Sequence, residues 1–331
     1  MFKRRLGRSN LEVSAMGMGC WAIGGPWDWL EADGTTGPVG WGDVDDAESV
    51  RAIHYAFEAG INFFDTAANY GCGHSERILS QALGNQRENV IVATKFGYIV
   101  DEEKRIVAET EDVAPRIRQE CEASLCRLNT DYIDLYQFHV NKFPAERAAE
   151  VRDVLETLVD AGKIRWYGWS TDNAAGARVF AQGPHCTAIQ HGLNMGFDAP
   201  QVLDVCEEYD LASVNRSPLG MGMLTGKFSR ETTFPTNDVR HDWDLKSERP
   251  AKYIDRVQAI RKIFADAGDP RTLPQIALAW IWTRSGRTIP IPGFKTFAQA
   301  KENIQAMEFG LLSNEQVKKI DEIFEREPIL P

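Results

Sequence analysis

Three ionisable side chains end otherwise apolar segments of the chain, and a phenol follows one of them. Asp65 ends INFF, Lys95 ends VIVAT and His139 ends DLYQF, while Tyr70 comes five residues after Asp65. An unpaired buried charge is costly, so Asp65 and Lys95 are expected to form an ion pair. A cation beside a phenol stabilises the phenolate, so we expect a lowered pKa for Tyr70. The pattern predicts that Tyr70 is a proton donor whose pKa is set by the neighbouring charged groups.

Each of these residues also has a simpler interpretation. Asp65 and Lys95 alone fit a structural salt bridge, and a single His at a strand end is often a core or rim residue. Metal-dependent barrel hydrolases also use Asp and His at strand ends. The first apolar segment has no H-x-H, however, and His139 is the one His at a strand end, which is too few ligands for a metal site. We therefore predict no metal.

The elements that position these residues alternate between apolar strands and amphipathic helices. Helices are predicted at 45–60, 74–84, 114–129 and 144–162, with further helical segments after the later strands. Strands are predicted at 13–19, 61–67, 89–96, 132–140, 163–170, 187–193, 212–218 and 288–294. Eight strand–helix units without a linker predict one α/β domain over residues 1–331, a (β/α)₈ TIM barrel.

Two further segments extend this barrel. Residues 3–13 contain a G-R-S-N turn between short runs, which predicts a hairpin that plugs the barrel bottom. Residues 219–250 are polar and contain Pro, which predicts a long loop over the active site. In such barrels the chemistry lies at the carboxyl ends of the strands. The side chains expected there are Asp65, Lys95, His139, Ser170, Gln190, Arg216 and Lys295.

Composition restricts the class of partner. The chain has 37 Lys and Arg against 48 Asp and Glu, a net charge of −11. This acidity argues against nucleic acid or an anionic membrane as partner and leaves a small molecule. The six Cys show no C-x-x-C spacing, and no apolar run is long enough for a signal peptide or a membrane helix. These features predict a cytoplasmic protein and leave its oligomeric state open.

Several motifs together resemble the aldo-keto reductase superfamily. FFDTAANYGCGHSE, VATKFG, QFHV, AIQHGLN, RSPLGMGMLTGKF and IPIPGFKTFAQAKEN occur in that family's order and spacing, over roughly residues 1–325. The WAIGG start and short loops are similar to the bacterial branch that includes inositol- and sugar-type reductases. The resemblance implies reduction of a small carbonyl compound by NADPH, which becomes NADP+. It assigns the catalytic tetrad to Asp65, Tyr70, Lys95 and His139.

The same resemblance implies a set of cofactor contacts. Ser170 and Gln190 would bind the nicotinamide carboxamide, and Lys295 the 2′-phosphate. Further contacts are expected at Arg216, Ser217, Leu219, Gly293, Thr296, Gln299 and Asn303. Two positions depart from the family. Thr171 stands where an Asn often follows Ser170, and Arg216 replaces an aromatic residue, so it would cover the nicotinamide or reach the pyrophosphate.

Aromatic residues suggest the substrate class. The first long loop holds four Trp residues, and we assign Trp21, Trp29, Asn141 and Trp169 to the substrate pocket. Indole faces suit the C–H faces of sugars while polar groups bind the hydroxyls. The sequence therefore favours a sugar-like or polyol-derived aldehyde or ketone. The alternative is a regulatory subunit that binds the cofactor on the same fold but turns over little.

Overall fold

Eight parallel strands form the central sheet, and each strand pairs with its neighbours in chain order. The computed structural model describes residues 2–325; Met1 and residues 326–331 of the expected domain lie outside the described residues. The strands are β1 (Met18–Gly19), β2 (Phe63–Asp65), β3 (Ile91–Phe96), β4 (Ile133–Phe138), β5 (Ile164–Ser170), β6 (Cys186–Gly192), β7 (Ala212–Arg216) and β8 (Thr288–Pro290).

The first and last strands close this sheet into a barrel. The backbone N–H of Gly17 donates to Pro290 O, and that of Gly19 to Pro292 O, both at 3.0 Å. Gly19 also forms a parallel bridge with Gly293. A Cβ at Gly19 would lie 2.6 Å from a backbone oxygen, so the closure requires Gly at this position. The predicted (β/α)₈ barrel is confirmed.

The register of the parallel strands brings the expected site residues to one end. Asp65 lies opposite Ala93, two residues before Lys95, and Lys95 lies opposite Gln137. Ser170 lies opposite Gln190 in the next pair of strands. Because all strands run in the same direction, their carboxyl ends form one rim of the barrel.

Ten helices are present among residues 2–325, and their starts follow local capping. Asp45 caps the first helix by accepting from the N–H groups of Ala47 and Glu48. Two helices start later than predicted, because a 3₁₀ turn containing or following a Pro comes first. The helices are α1 (Asp46–Glu58), α2 (His74–Leu83), α3 (Ile117–Leu128), α4 (Ala148–Asp160), α5 (Ala174–Ala181), α6 (Pro200–Glu208), α7 (Glu248–Asp266), α8 (Leu273–Arg284), α9 (Phe297–Phe309) and α10 (Asn314–Phe324).

The N-terminal hairpin covers the amino ends of the barrel strands, as predicted. Lys3–Arg5 pairs antiparallel with Glu12–Ser14. Leu6 and Val13 are fully buried in a cluster with barrel residues such as Leu135. The predicted strand 13–19 is therefore wrong in extent, since its first residues belong to the hairpin and only Met18–Gly19 belongs to the barrel.

Two loops at the opposite rim form a small sheet that the sequence analysis missed. Its four strands come from the loops after β1 and β3, and each is only three residues long, too short to show a clear alternation. They are Asp28–Leu30, Thr36–Pro38, Ile99–Asp101 and Ile106–Ala108. The insert after β7 runs beside this sheet, and Asp238 within it forms a backbone bridge with Trp41. No helix within residues 2–325 is long and apolar enough to span a membrane.

Candidate active site

A buried lysine links a carboxylate to a phenol at the carboxyl ends of β2 and β3. Lys95 Nζ donates to Asp65 Oδ1 at 2.6 Å and to Thr66 O at 2.8 Å, and lies 3.1 Å from the Tyr70 hydroxyl. All these side chains are buried. Burial lowers the pKa of Lys95, but Asp65 and Tyr70 outweigh it, so the pKa is raised and the ammonium stays charged. The expected ion pair is present.

The pKa of Tyr70 differs from the expectation. Burial raises the pKa of its hydroxyl, and the charge of Lys95 opposes this without reversing it. The predicted net lowering is wrong, because the sequence pattern gave the cation but not the loss of solvent around the phenol. Tyr70 therefore remains protonated at neutral pH, the form that a proton donor requires.

His139 faces the same phenol as a neutral imidazole. Its ring meets that of Tyr70 edge-on, with centroids 5.8 Å apart. Burial, Lys95 and Arg216 all hold the pKa of His139 well below its usual value. Nδ1 of His139 lies 3.1 Å from Oδ1 of Asn69, whose role the sequence analysis missed. An amide can present its oxygen or its NH₂ after rotation, so Asn69 can stabilise either neutral tautomer.

The second carboxylate oxygen of Asp65 is held by two amides. Gln190 Nε2 donates to Oδ2 at 2.7 Å and Gln137 Nε2 donates at 3.0 Å. Ser170 Oγ in turn donates to Gln190 Oε1 at 3.3 Å. Ser170 and Gln190, which are expected to bind the carboxamide, are thus hydrogen-bonded to the Asp65–Lys95 ion pair. Gln137 was missed, although strand alternation places it on the same face of the chain as His139.

These residues line one cavity of about 570 Å³ at the barrel rim. The predicted site residues that line it are Trp21, Trp29, Asp65, Tyr70, His139, Asn141, Ser170, Gln190, Arg216, Ser217, Leu219, Gly293, Lys295, Gln299 and Asn303. Lys95 is fully buried, contacts the Tyr70 hydroxyl and does not line the cavity. No group of three His, Cys, Asp or Glu side chains within residues 2–325 could hold a metal ion.

Two predicted contacts do not reach the cavity. Trp169 is fully buried, and its indole N–H donates to Val140 O at 3.1 Å while its ring packs against Phe180. Its assignment to the substrate pocket is wrong, because adjacent residues of a strand face opposite sides and Ser170 takes the inward position. Thr296 caps α9, where its hydroxyl accepts from the N–H of Gln299, and it does not line the cavity.

Three cations line the cavity beside the insert. Lys295 Nζ donates to Trp41 O at 2.7 Å, and the Arg240 guanidinium lies 4.3 Å from the centroid of the Trp41 ring. Burial lowers the pKa of Lys295, and burial with nearby cations lowers that of Lys227. Within residues 2–325, neither lysine has a carboxylate within ion-pair distance. The sequence analysis missed Lys227 and Arg240, which lie in the insert with no periodic pattern to mark them.

Two tryptophan rings lie between this cationic end of the cavity and the Tyr70 phenol. Trp41 packs edge-on against Trp21 at 5.3 Å, and Trp21 stacks on Tyr70 at 6.1 Å between centroids. Arg240 is held by Asp238 at 2.7 Å. The residues therefore fit a phosphorylated dinucleotide: cationic side chains suit its phosphates, and buried amides next to the Lys95–Tyr70 pair suit a carboxamide.

Comparison with known proteins gives the family. The family model described as "Aldo/keto reductase family" matches residues 15–325. The chain belongs to this family. An Escherichia coli protein named NADH-specific methylglyoxal reductase is 32% identical over 323 residues, which cover 94% of this chain and 95% of that protein. Aldo-keto reductase yakc [NADP(+)] of Schizosaccharomyces pombe is 29% identical, covering 96% and 90% respectively.

A solved structure supports the same assignment. The glycerol dehydrogenase AKR11B4 from Gluconobacter oxydans has a TM-score of 0.80 and 30% identity, with 99% of this chain and 98% of that chain covered. The protein is thus an oxidoreductase of the aldo-keto reductase family whose carbonyl chemistry uses a nicotinamide cofactor.

Proposed function

We propose that this aldo-keto reductase uses NADPH to reduce a sugar-like or polyol-derived aldehyde or ketone, with Tyr70 as the general acid. The observation that carries the proposal is the contact of Lys95 Nζ with both the Tyr70 hydroxyl and Asp65 beside a cavity. A protonated phenol next to a fixed cation can give up its proton as negative charge develops on a carbonyl oxygen.

The side chains have separate tasks in this reaction. When bound, NADPH supplies the hydride that reaches the carbonyl carbon. Tyr70 donates the proton to the carbonyl oxygen, and the charge of Lys95 stabilises the phenolate that remains. Asp65 keeps Lys95 charged and in place. His139, neutral and positioned by Asn69, orients the carbonyl group.

The cationic end of the cavity supports the choice of NADPH. A 2′-phosphate needs positive charge that a 2′-hydroxyl does not, and Lys227, Arg240 and Lys295 provide it there. The S. pombe relative carries NADP(+) in its name, whereas the E. coli relative is named NADH-specific. Residues Trp21, Trp29 and Asn141 at the other end support a small substrate with apolar faces and hydroxyl groups.

The decisive experiment compares wild type with Tyr70→Phe on a panel of aldehydes, ketones and oxidised polyols, following NADPH absorbance. The variant keeps the ring that stacks on Trp21 and loses the hydroxyl. We expect kcat to fall by ~10²–10⁴ while cofactor affinity stays nearly unchanged. Tyr55→Phe removes a hydroxyl from α1 outside the cavity and serves as the matched control.

Two outcomes would contradict the proposal. If Tyr70→Phe kept more than about half of the wild-type kcat with chemistry rate-limiting, the phenol would not be the acid. If the wild type bound NADPH but reduced no member of the panel, the regulatory-subunit alternative would replace the enzyme proposal.

A further inference from the structure

Asn69 carries an amide of which only one polar atom has a partner. The side chain lines the cavity together with Tyr70 and His139 and is only 6% exposed. Its Oδ1 lies 3.1 Å from His139 Nδ1, whereas its Nδ2 has no hydrogen-bond partner among residues 2–325. This NH₂ group is not enclosed by protein, so a molecule in the cavity can reach it. Its partner must therefore come from what occupies the cavity.

The turn after β2 holds Asn69 in place. The backbone N–H of Tyr70 donates to Ala67 O at 3.1 Å, and that of Cys72 donates to Asn69 O at 3.2 Å. The amide is thus carried by a hydrogen-bonded backbone directly before the reactive phenol. Because the side chain is already ordered, a hydrogen bond to a ligand costs little conformational entropy.

Asn69 lies apart from the contacts expected for the cofactor. Those contacts come from the ends of β5, β6 and β7 and from the segments after β7 and β8, whereas Asn69 follows β2. The side chains around it belong to the catalytic end: it contacts His139, and Trp21 stacks on the adjacent Tyr70. With NADPH bound, the amide is therefore left to the carbonyl substrate.

The amide presents a hydrogen-bonding atom to the cavity in either rotation. With Oδ1 toward His139, the NH₂ group faces the cavity as a donor. After rotation the NH₂ group donates to Nδ1 of the imidazole, and Oδ1 faces the cavity as an acceptor. A hydroxyl group suits both cases, because it accepts and donates. A methyl group suits neither and would leave the amide without water and without a partner.

We propose that Asn69 is a specificity-determining residue, which hydrogen-bonds a hydroxyl group on the carbon next to the reactive carbonyl. The inference rests on the proposed reductase function and narrows its substrates to α-hydroxy aldehydes and α-hydroxy ketones. The position follows from the contacts: the His139 ring packs on Tyr70, and Asn69 is one hydrogen bond from that ring. Only a group close to the carbonyl carbon can reach Asn69 while the carbonyl oxygen stays at the Tyr70 hydroxyl.

The test compares carbonyl compounds of equal size in which a hydroxyl replaces a methyl group: hydroxyacetone against butanone, and glycolaldehyde against propanal. The quantity measured is the ratio of kcat/KM for the hydroxy compound to kcat/KM for the methyl compound. Asn69→Leu keeps the volume of the side chain and removes both polar atoms. We expect the ratio to fall about three- to tenfold in this variant, since one uncharged hydrogen bond is lost.

Two controls separate contact with the hydroxyl from other effects. If Asn69 acted only through His139, Asn69→Leu would slow both members of a pair equally and leave the ratio unchanged. Asn89→Leu, at an exposed position outside the cavity, should change neither kcat/KM value. The pair 4-hydroxybutan-2-one and pentan-2-one moves the hydroxyl one carbon further away, and its ratio should change less in Asn69→Leu.

An unchanged or increased ratio in Asn69→Leu would overturn the proposal, and so would an equal fall for the pair with the more distant hydroxyl. Fluorescence titration with NADPH shows whether the variant is folded. If it bound no NADPH, Asn69→Ala would replace it, with the same fall expected. Failure of the parent function has a different signature, since wild type would then reduce no member of any pair.

Discussion

At the scale of single residues, burial and neighbouring charges together decide the protonation states that the proposed reaction uses. Tyr70 is held in its protonated form, Lys95 in its charged form and His139 in its neutral form. The neutral imidazole implies that the rate of reduction stays flat through the pH range in which an ordinary His titrates. On the alkaline side the rate falls once Tyr70 loses its proton, at a pH above the usual value for a phenol.

Replacing Lys95 with Met should slow the reaction and change its pH dependence. Met keeps the length of the side chain but removes the charge that lowers the Tyr70 pKa, so that pKa rises further. We expect kcat to fall by ~10²-fold or more and the alkaline limb of the pH–rate profile to move to higher pH. Asp65→Asn should lower kcat by a smaller factor. Lys163→Met, which affects a surface pair with Glu122, is the control.

The measurement is the pH profile of kcat for reduction in the three variants and wild type. If neither Lys95→Met nor Asp65→Asn shifted the pH profile of kcat, Lys95 and Asp65 would not set the pKa of Tyr70. An effect of Lys163→Met as large as that of Lys95→Met would instead indicate a general loss of stability.

At the scale of elements, Arg8 in the turn of the N-terminal hairpin binds the backbone at the barrel bottom. Arg8 donates to three carbonyl oxygens: Tyr209 at 2.7 Å, Gly183 at 3.0 Å and Ala181 at 2.8 Å. Beside it, Gly7 has φ +51°, and a Cβ there would lie 2.1 Å from Thr187 O. These contacts belong to the stability of the fold, since the site lies at the opposite rim.

Arg8→Ala should therefore destabilise the protein without changing its chemistry. Loss of hydrogen bonds from a charged group predicts a decrease of about 1.5–3 kcal/mol in the free energy of unfolding. Urea denaturation measures this decrease, and kcat below the unfolding transition should stay at the wild-type value. Arg178→Ala, which affects an exposed ion pair, should cost much less than Arg8→Ala. An equal loss in both variants would contradict the role of Arg8.

At the scale of the whole molecule, closure of the barrel produces a cavity with two different ends. The reactive end holds the Lys95–Asp65 pair and the neutral His139, while the end beside the insert holds Lys227, Arg240 and Lys295 from distant parts of the chain. The cofactor proposal depends on this second end. Ligand that binds only the folded protein also stabilises it, by about 2.7 kcal/mol at a concentration of 100 Kd.

Lys295→Ala should weaken NADPH far more than NADH. Loss of one charge-assisted contact predicts a decrease in NADPH affinity of roughly tenfold to a hundredfold, with NADH almost unaffected. Fluorescence titration with both cofactors measures affinity, and the shift in Tm at a fixed cofactor concentration gives an independent reading. Lys301→Ala, at an exposed position of α9, is the matched control. Equal losses for the two cofactors, or tighter NADH than NADPH binding in wild type, would reject the assignment.

The barrel and the rim that carries its reactive groups follow from local patterns along the chain. Eight apolar strands alternating with helices require layers that bury both faces of a parallel sheet, and ionisable residues at strand ends must meet at one rim. Asp65, Lys95 and His139 were found in this way because their signal is local. Period-two alternation also held the information that Trp169 points away from the cavity when Ser170 points into it.

Which side chains meet across the rim, and how far each one is removed from water, depend on how the distant parts of the chain pack together. Lys295 and Trp41 lie 254 positions apart and Asp172 and Arg216 lie 44 apart, yet both pairs are in contact. No local pattern encodes such pairs, because they depend on closure of the barrel and on the path of irregular loops. The pKa of Tyr70 has the same origin. The sequence pattern predicted the cation Lys95 beside Tyr70. The net rise of the Tyr70 pKa, however, follows from the removal of water by the surrounding elements.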